Sequence, residues 1–577
     1  MTDRWLNHVL AVVVVLGLIA VTVIERPRLA EERAELLDQE VVDLDDSAAP
    51  PPQSRDPIEL RERARERVEE EAMGERPDLL DDHGVTASHP DAVAVGMEVL
   101  DAGGNAVDAA IAVAYALGVA EPFGSGPGGG GAMLIHHPGE DPIAYDYRET
   151  APLSGEVPAD NIGVPGFVAG MEHIHAEHGS LALSDLIEPA ARLAEDGVEV
   201  TTYLNERLRG AGHRLPIHLA PRLFPNGQGI AAGETLRQPE YADALRLIQD
   251  QGAEVMYTGE LAERIVEVSG LEAADLEAYE VIEVEPAQGT FAGFDVIGGG
   301  APTSGPTLVQ MLQIAEALGV NDLDLDTADA HHVIAQAWRQ AASDRREYVA
   351  DPTIEQVRLD GLVDREYADA LAARIPDDGF VDVAEDDELL FIETDTTHFV
   401  VIDRKGTMVS ATNTLSNFFG SGLPVSGFFL NDQLKNFAGD TESINHVAPG
   451  KRPRSFITPT IVAQDGRPVL GIGSPGGRRI PMMVAQVLIR WAGHGQDLQA
   501  ATDAPRYHLE STRLEVETMP SGGVADDLRG RGYTVTTNVP TTEYFGGMQA
   551  LRIDHDAGTV IGIADDRRAG SWDATSR

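Results

Sequence analysis

Residues 106–117 read AVDAAIAVAYAL, a helix-length run with one charge and no polar face. A helix that is apolar on every side has to be buried on every side, so the rest of the chain must be built around it. The 577 residues provide enough material for such a core without staples. Just before it, Val93, Met97 and Leu100 fall at helical spacing, which predicts a first helix over Asp91–Leu100. Ala102-Gly103-Gly104-Asn105 divides the two, with glycines suited to a left-handed cap.

A glycine run, Gly126 to Gly131 with only Pro127 interrupting it, follows the buried helix and leads into a strand at Ala132–His136. It lacks a Gly-Lys-Ser/Thr ending and precedes a strand, so it reads as close backbone packing near a site rather than a phosphate cradle. Ser184–Glu195, Thr307–Leu318 and Asp329–Ala342 are predicted helices; His331 and His332 in the last point to different faces and read as structural. After Glu385 the pattern turns to strands. Thr396–Asp403 and Thr407–Asn413 flank the turn Arg404-Lys405-Gly406 and predict a hairpin. Further strands are expected at Phe428–Asn431, Ser455–Ala463, Val469–Ile472, Arg513–Glu517 and Met548–Ile553, and a helix at Met482–Trp491.

Val9–Ile24 carries no charge over 16 residues, and with its flanks it approaches the roughly 20 residues that span a bilayer. No small-residue cleavage site follows, so residues 1–25 read as an uncleaved signal anchor and residues 26–80, charged and proline-bearing, as a solvated stalk. The flanking arginines do not set an orientation. The chain has 95 acidic against 43 basic residues, a net charge of −52, which excludes a nucleic-acid partner. With lysine only at 405, 435 and 451, the acidic surface suggests adaptation to high salt.

Cysteine is absent, which removes thiolate metal sites and a cysteine nucleophile. His-Glu-x-x-His and Gly-x-Ser-x-Gly are also absent, so neither zincin nor α/β-hydrolase chemistry has a carrier. No Asp, Glu or His cluster has metal-ligand spacing, and no metal or organic cofactor is expected. What remains is the threonine-rich hairpin and the loop Gly473-Ser474-Pro475-Gly476-Gly477. A threonine hydroxyl needs a base, and an α-amine with a pKa of about 8 suits neutral pH better than a lysine near ~10.4. A cut after Asp395 would give Thr396 that amine. Spacing alone does not select Thr396, because β-branched residues are common in strands.

Motifs in order do select it. Gly103–Ala110, the Gly126–Gly131 run, Tyr147-Arg148-Glu149-Thr150-Ala151-Pro152, Gly163–Gly166, Asp395-Thr396-Thr397-His398-Phe399, Lys451-Arg452-Pro453, Gly473–Gly477, Ala504-Pro505-Arg506 and Ala564–Arg568 together resemble the γ-glutamyltranspeptidase (glutathione hydrolase) family, a branch of the N-terminal-nucleophile hydrolases. The resemblance implies an α+β fold, a four-layer αββα sandwich. It implies a precursor that cuts itself between Asp395 and Thr396 into a large-subunit part (81–395) and a small-subunit part (396–577) that stay paired. It implies that Thr396 attacks a γ-glutamyl amide and that Thr414, eighteen residues on, positions it. Backbone N–H groups of Gly476 and Gly477 would form the oxyanion hole, each donor contributing about 3 kcal/mol. Arg148 would grip the donor α-carboxylate, and the acyl group would pass to water, an amino acid or a peptide. The family's usual export, with the anchor, implies a membrane-tethered body facing outward.

The donor pocket departs from the family. Gln433 matches, but the acidic residue that holds the donor ammonium aligns with Asn436, an asparagine with Ser416, and a serine pair with Ser455-Phe456. Asp432 or Asp440 are candidate replacements for the carboxylate, Arg454 and Arg478 add cations, and the stretch from Phe437 to Lys451 is too short for a lid loop. Three readings follow. The first is glutathione-type γ-glutamyl cleavage and transfer. The second is action on poly-γ-glutamate or a glutaryl amide. The third is an unprocessed, membrane-tethered binding protein.

Overall fold

The computed structural model describes residues 79–211, 215–383, 395–537 and 542–576. The expected anchor, and the expected stalk up to residue 78, lie outside the described residues. Among the described residues no helix is long and apolar enough to cross a membrane.

The apolar segment forms helix α2 (Ala106–Ala120), buried along its whole length. Its one charge is used locally: Asp108 closes a capping box with Asn105 and also accepts the Ser180 amide at 2.9 Å. Helix α1 (Pro90–Asp101) packs beside it.

Two large antiparallel sheets contain β1 (Asp82–Ala87), β2 (Gly130–His136), β3 (Ile143–Asp146), β4 (Ile282–Val284), β5 (Ala287–Phe291), β6 (Phe294–Gly298), β7 (Asp395–Ile402), β8 (Met408–Ser416), β9 (Thr460–Gln464), β10 (Arg467–Gly473), β11 (Gln549–Asp554), β12 (Thr559–Gly562) and β13 (Ser571–Ser576). One has the order β13-β1-β7-β8-β2-β3-β4, the other β12-β11-β10-β9-β6-β5. Helices α1 and α2 cover the first sheet. Helix α3 (Gly305–Ala317), backed by α4 (Ala328–Tyr348) and joined by α5 (Ile480–Leu488), covers the second. The layers are therefore αββα.

Strand β7 shows how the sequence assigns its faces. Phe399 and Val401 enter the core against α2, whereas Val400 and Ile402 enter the core between the sheets. With a side-chain period of two, Thr396 and His398 share the inter-sheet face. The β7–β8 turn is held by Asp403, whose carboxylate accepts Lys405 N (2.9 Å), Thr407 N (3.1 Å) and the first amide of α2 at Ala106 (3.1 Å). Both sheets combine strands from the two sides of the Asp395–Thr396 bond, interleaved in the first and joined edge to edge between β9 and β6 in the second.

Most predicted elements appear, with two shortened. The strand expected over Ser455–Ala463 begins only at Thr460, because Pro459 has no N–H for a ladder and Ser455 and Ile457 bond instead to the segment 302–304. The strand expected at Phe428–Asn431 ends at Phe429. Asn431 instead ties Gly128 O and Gly163 O with its side chain, each at 2.9 Å.

Candidate active site

The β7–β8 register places Thr396 directly opposite Thr414 at the end of the inter-sheet space, and both are buried. A bulge follows between Thr414 and Ser416, where the Ser416 amide donates to Thr414 Oγ1 at 2.9 Å and Ser416 takes φ +80. Close backbone approach explains the glycine run beneath: a Cβ at Gly129 would lie 2.3 Å from Thr414 O, and one at Gly128 2.0 Å from Phe429 O. The run is packing, as its sequence indicated.

Strand β10 delivers the second glycine loop to the same place. Ser474 Oγ donates to Pro475 O (2.7 Å) and accepts the Gly547 amide (3.3 Å), fixing the loop before it enters α5. Gly476 (φ +141) and Gly477 (φ +60) have backbone angles that L side chains rarely adopt. Among the described residues neither amide donates to a backbone acceptor, so both remain available to an anion near the N-terminal end of α5. The loop and strand β7 are locked together by His398. Its ring lies against Gly473, its Nδ1 pairs with Thr412 Oγ1 at 2.8 Å, and burial pulls its pKa down to about 3, so it is neutral.

Thr396, Thr414, Ser416, Gln433, Asn436, Ser455, Phe456 and Gly477 all line one cleft of about 420 Å³, together with Ile457, Arg478 and Ile480. Gln433 is buried with neither amide atom hydrogen-bonded. Asn436 Nδ2 approaches Ser416 Oγ at 3.5 Å. The replacements considered for the missing carboxylate do not line the cleft: Asp432 accepts Asn417 N (2.9 Å) and Lys435 Nζ (3.1 Å), and Asp440 is exposed on its loop.

Two expected site residues lie elsewhere. Arg148 is fully buried, donating to both Asp146 oxygens (2.7 and 3.2 Å) and to Pro453 O (2.7 Å), and it does not reach the cleft. The sequence motif gave its identity but not this ion pair, two residues away on the same strand end. Arg454 also turns inward, to Arg345 O and Arg346 O at the end of α4. Ile457 and Ile480 were missed; their only signal was adjacency to the motifs. Next to Arg148, Glu149 is buried with neither carboxyl oxygen hydrogen-bonded, and burial pushes its pKa up to about 8. Among the described residues no cluster of His, Asp and Glu is placed to hold a metal.

The gamma-glutamyltranspeptidase family model matches residues 92–575. The chain belongs to that family. It is 41% identical over 491 residues to the capsule biosynthesis protein CapD proenzyme of Bacillus anthracis, covering 85% of this chain and 90% of that protein. It is 32% identical to the glutathione hydrolase proenzyme of Bacillus subtilis, covering 86% and 92%. Among solved structures it resembles the cephalosporin acylase from Bacillus halodurans with a TM-score of 0.76 and 26% identity, covering 92% of this chain and 99% of that one. The relatives of this chain thus include proteins named as proenzymes, one of them a hydrolase, and its structural neighbour is named as an acylase.

Proposed function

We propose that this family member is a self-processing threonine amidase acting on γ-linked glutamyl amides whose donor nitrogen is already acylated, as inside a poly-γ-glutamate chain, rather than on free glutathione. Cleavage between Asp395 and Thr396 separates residues 81–395 from 396–577. Sheets that combine strands from both halves keep them together after the cut. The new Thr396 amine takes the hydroxyl proton as Oγ1 attacks the γ-carbonyl, and the N–H groups of Gly476 and Gly477 stabilise the oxyanion. The proton then goes to the departing amine, leaving an acyl-Thr396 ester that water or an acceptor amine resolves. Thr414 orients the nucleophile, and Gln433, Asn436, Ser416 and Ser455 offer hydrogen bonds to the donor. The expected outward-facing membrane tether at residues 1–25 would suit a polymer or peptide outside the cell.

One observation carries the choice of donor: no carboxylate lines the described cleft, so a free α-ammonium has no ion-pair partner there. An amide nitrogen needs only a hydrogen-bond acceptor, which Asn436 and Gln433 supply. The relative named for capsule biosynthesis fits a polymeric substrate. The test is side-by-side kinetics with the p-nitroanilides of γ-glutamate, N-acetyl-γ-glutamate and glutarate. The acetylated donor should have the highest kcat/KM, and preference for the free-amine donor would sink this reading.

A further inference from the structure

The stretch from Phe437 to Lys451, too short for a lid loop, carries a buried asparagine with both ends of its carboxamide in use. Asn445 Nδ2 donates to Asn436 O at 2.8 Å, and Asn445 Oδ1 accepts the Arg454 amide at 2.9 Å. These main-chain groups belong to two separate stretches of the cleft lining. Asn436 ends the turn Gln433–Asn436, and Arg454 leads directly into Ser455; Gln433, Asn436 and Ser455 all line the cleft. Asn445 itself does not. Its own place is fixed from several sides. Ala438 N donates to Asn445 O (3.0 Å) and Asn445 N to Ser443 Oγ (3.2 Å). The ammonium of Lys451, fully buried, donates to the preceding carbonyl at Ile444 and to Glu355 Oε1, each at 2.6 Å.

A single carboxamide has a fixed length, so the pair of bonds it makes fixes how far apart the two stretches sit. We propose that Asn445 is a positioning residue that sets the spacing between Asn436 and Ser455, and thereby the fit of the polar groups on the donor's α-carbon. It touches no substrate and acts through the two segments whose main chain it joins. Asparagine suits the task because the bridge needs a donor at one end and an acceptor at the other. Aspartate has the same size but no donor, and it would set a carboxylate oxygen against Asn436 O. A buried carbonyl left unpaired is costly, so that end of the bridge would open. The proposal rests on the reading of Asn436 and Ser455 as donor contacts and deepens it by naming what holds them in place.

The test uses the processed enzyme and two donors with one leaving group. N-acetyl-γ-glutamyl-p-nitroanilide carries the α-carbon groups, and butyryl-p-nitroanilide ends in a methyl at that position. Asn445→Asp should raise KM for the N-acetyl-γ-glutamyl donor about tenfold, the effect of one buried hydrogen bond left unmade. Its kcat, the butyryl KM and precursor conversion should stay near wild type. Asn445→Gln keeps donor and acceptor on an arm one methylene longer and should raise the same KM only several-fold. In a background carrying both Asn436→Ala and Ser455→Ala, Asn445→Asp should add little. Equal changes for both donors, a loss of kcat or conversion instead, or an undiminished effect in the double-alanine background would overturn the proposal. If Asn445→Asp does not fold, Asn445→Gln decides by the ratio of the two KM values, and an unchanged ratio overturns it. Repeating the series with γ-glutamyl-p-nitroanilide keeps the two ideas apart. That donor carries α-carbon groups as well, so its KM reads Asn445 even if it proves the preferred donor and the N-acylated reading falls.

Discussion

Replacing Gly473 with alanine should disable the site without touching a reacting atom. A methyl there would sit 2.3 Å from Cε1 and 2.5 Å from Nδ1 and Nε2 of His398. The ring has nowhere to go, since it is fully buried and bonded to Thr412. Overpacking of this kind costs about 1–3 kcal/mol. The kinetic effect should be larger, because relief requires β7 and β10 to separate, carrying Thr396 away from the Gly476–Gly477 amides. A displacement of about 1 Å between reacting groups costs on the order of a hundredfold in rate. The assay follows precursor conversion on a denaturing gel, p-nitroanilide turnover and urea unfolding. Gly439→Ala is the control, because nothing lies within 4 Å of a Cβ there. Adding His398→Ala to Gly473→Ala should recover part of the lost stability, as coupled neighbours do. If Gly473→Ala matches the Gly439→Ala control in all three measurements, the idea that His398 locks the loop to the strand is wrong.

Other outcomes follow from the same geometry. Asn436→Asp places a carboxylate in the cleft and should raise kcat/KM for γ-glutamyl-p-nitroanilide relative to the N-acetylated donor by about tenfold, the worth of one partly buried ion pair; an unchanged ratio would show that another residue meets the nitrogen. His398 is held near 3 when folded and returns to about 6.5 when unfolded, so the unfolded chain gains its proton first; stability should fall as pH drops below 6.5, by up to about 1.4 kcal/mol per unit. Urea midpoints should show a shallower acid limb for His398→Gln. Glu149 has the opposite sign: it is neutral when folded up to about pH 8 but ionises near 4.5 when unfolded, so it lowers stability as pH rises through that window. Glu149→Gln should therefore gain on wild type between pH 4.5 and 8, and parallel pH curves would contradict the buried neutral acid.

The sequence carried the hairpin because its evidence is local: β-branched alternation on both arms and a Lys405-Gly406 turn. It carried the buried helix for the same reason, an apolar run set off at its start by Ala102-Gly103-Gly104-Asn105. The site was legible through motif order, and eight expected residues do share the cleft. Arg148 was not, because whether a guanidinium faces a cleft or a neighbouring Asp146 depends on tertiary packing that the motif does not encode. Asn445 was invisible for a related reason, since the main-chain groups it joins, Asn436 O and Arg454 N, meet only through the fold. The shortened strand before Thr460 reflects competition that only the fold reveals, with residues 302–304 taking the hydrogen bonds a ladder would have used.

In the proposed mechanism a new amino terminus at Thr396 is both nucleophile and base. Sequencing the smaller fragment of purified protein by Edman degradation tests it directly. The first four residues should be Thr-Thr-His-Phe, with a single uncut band for Thr396→Ala. A different terminus, or full amidase activity from an intact chain, would contradict it.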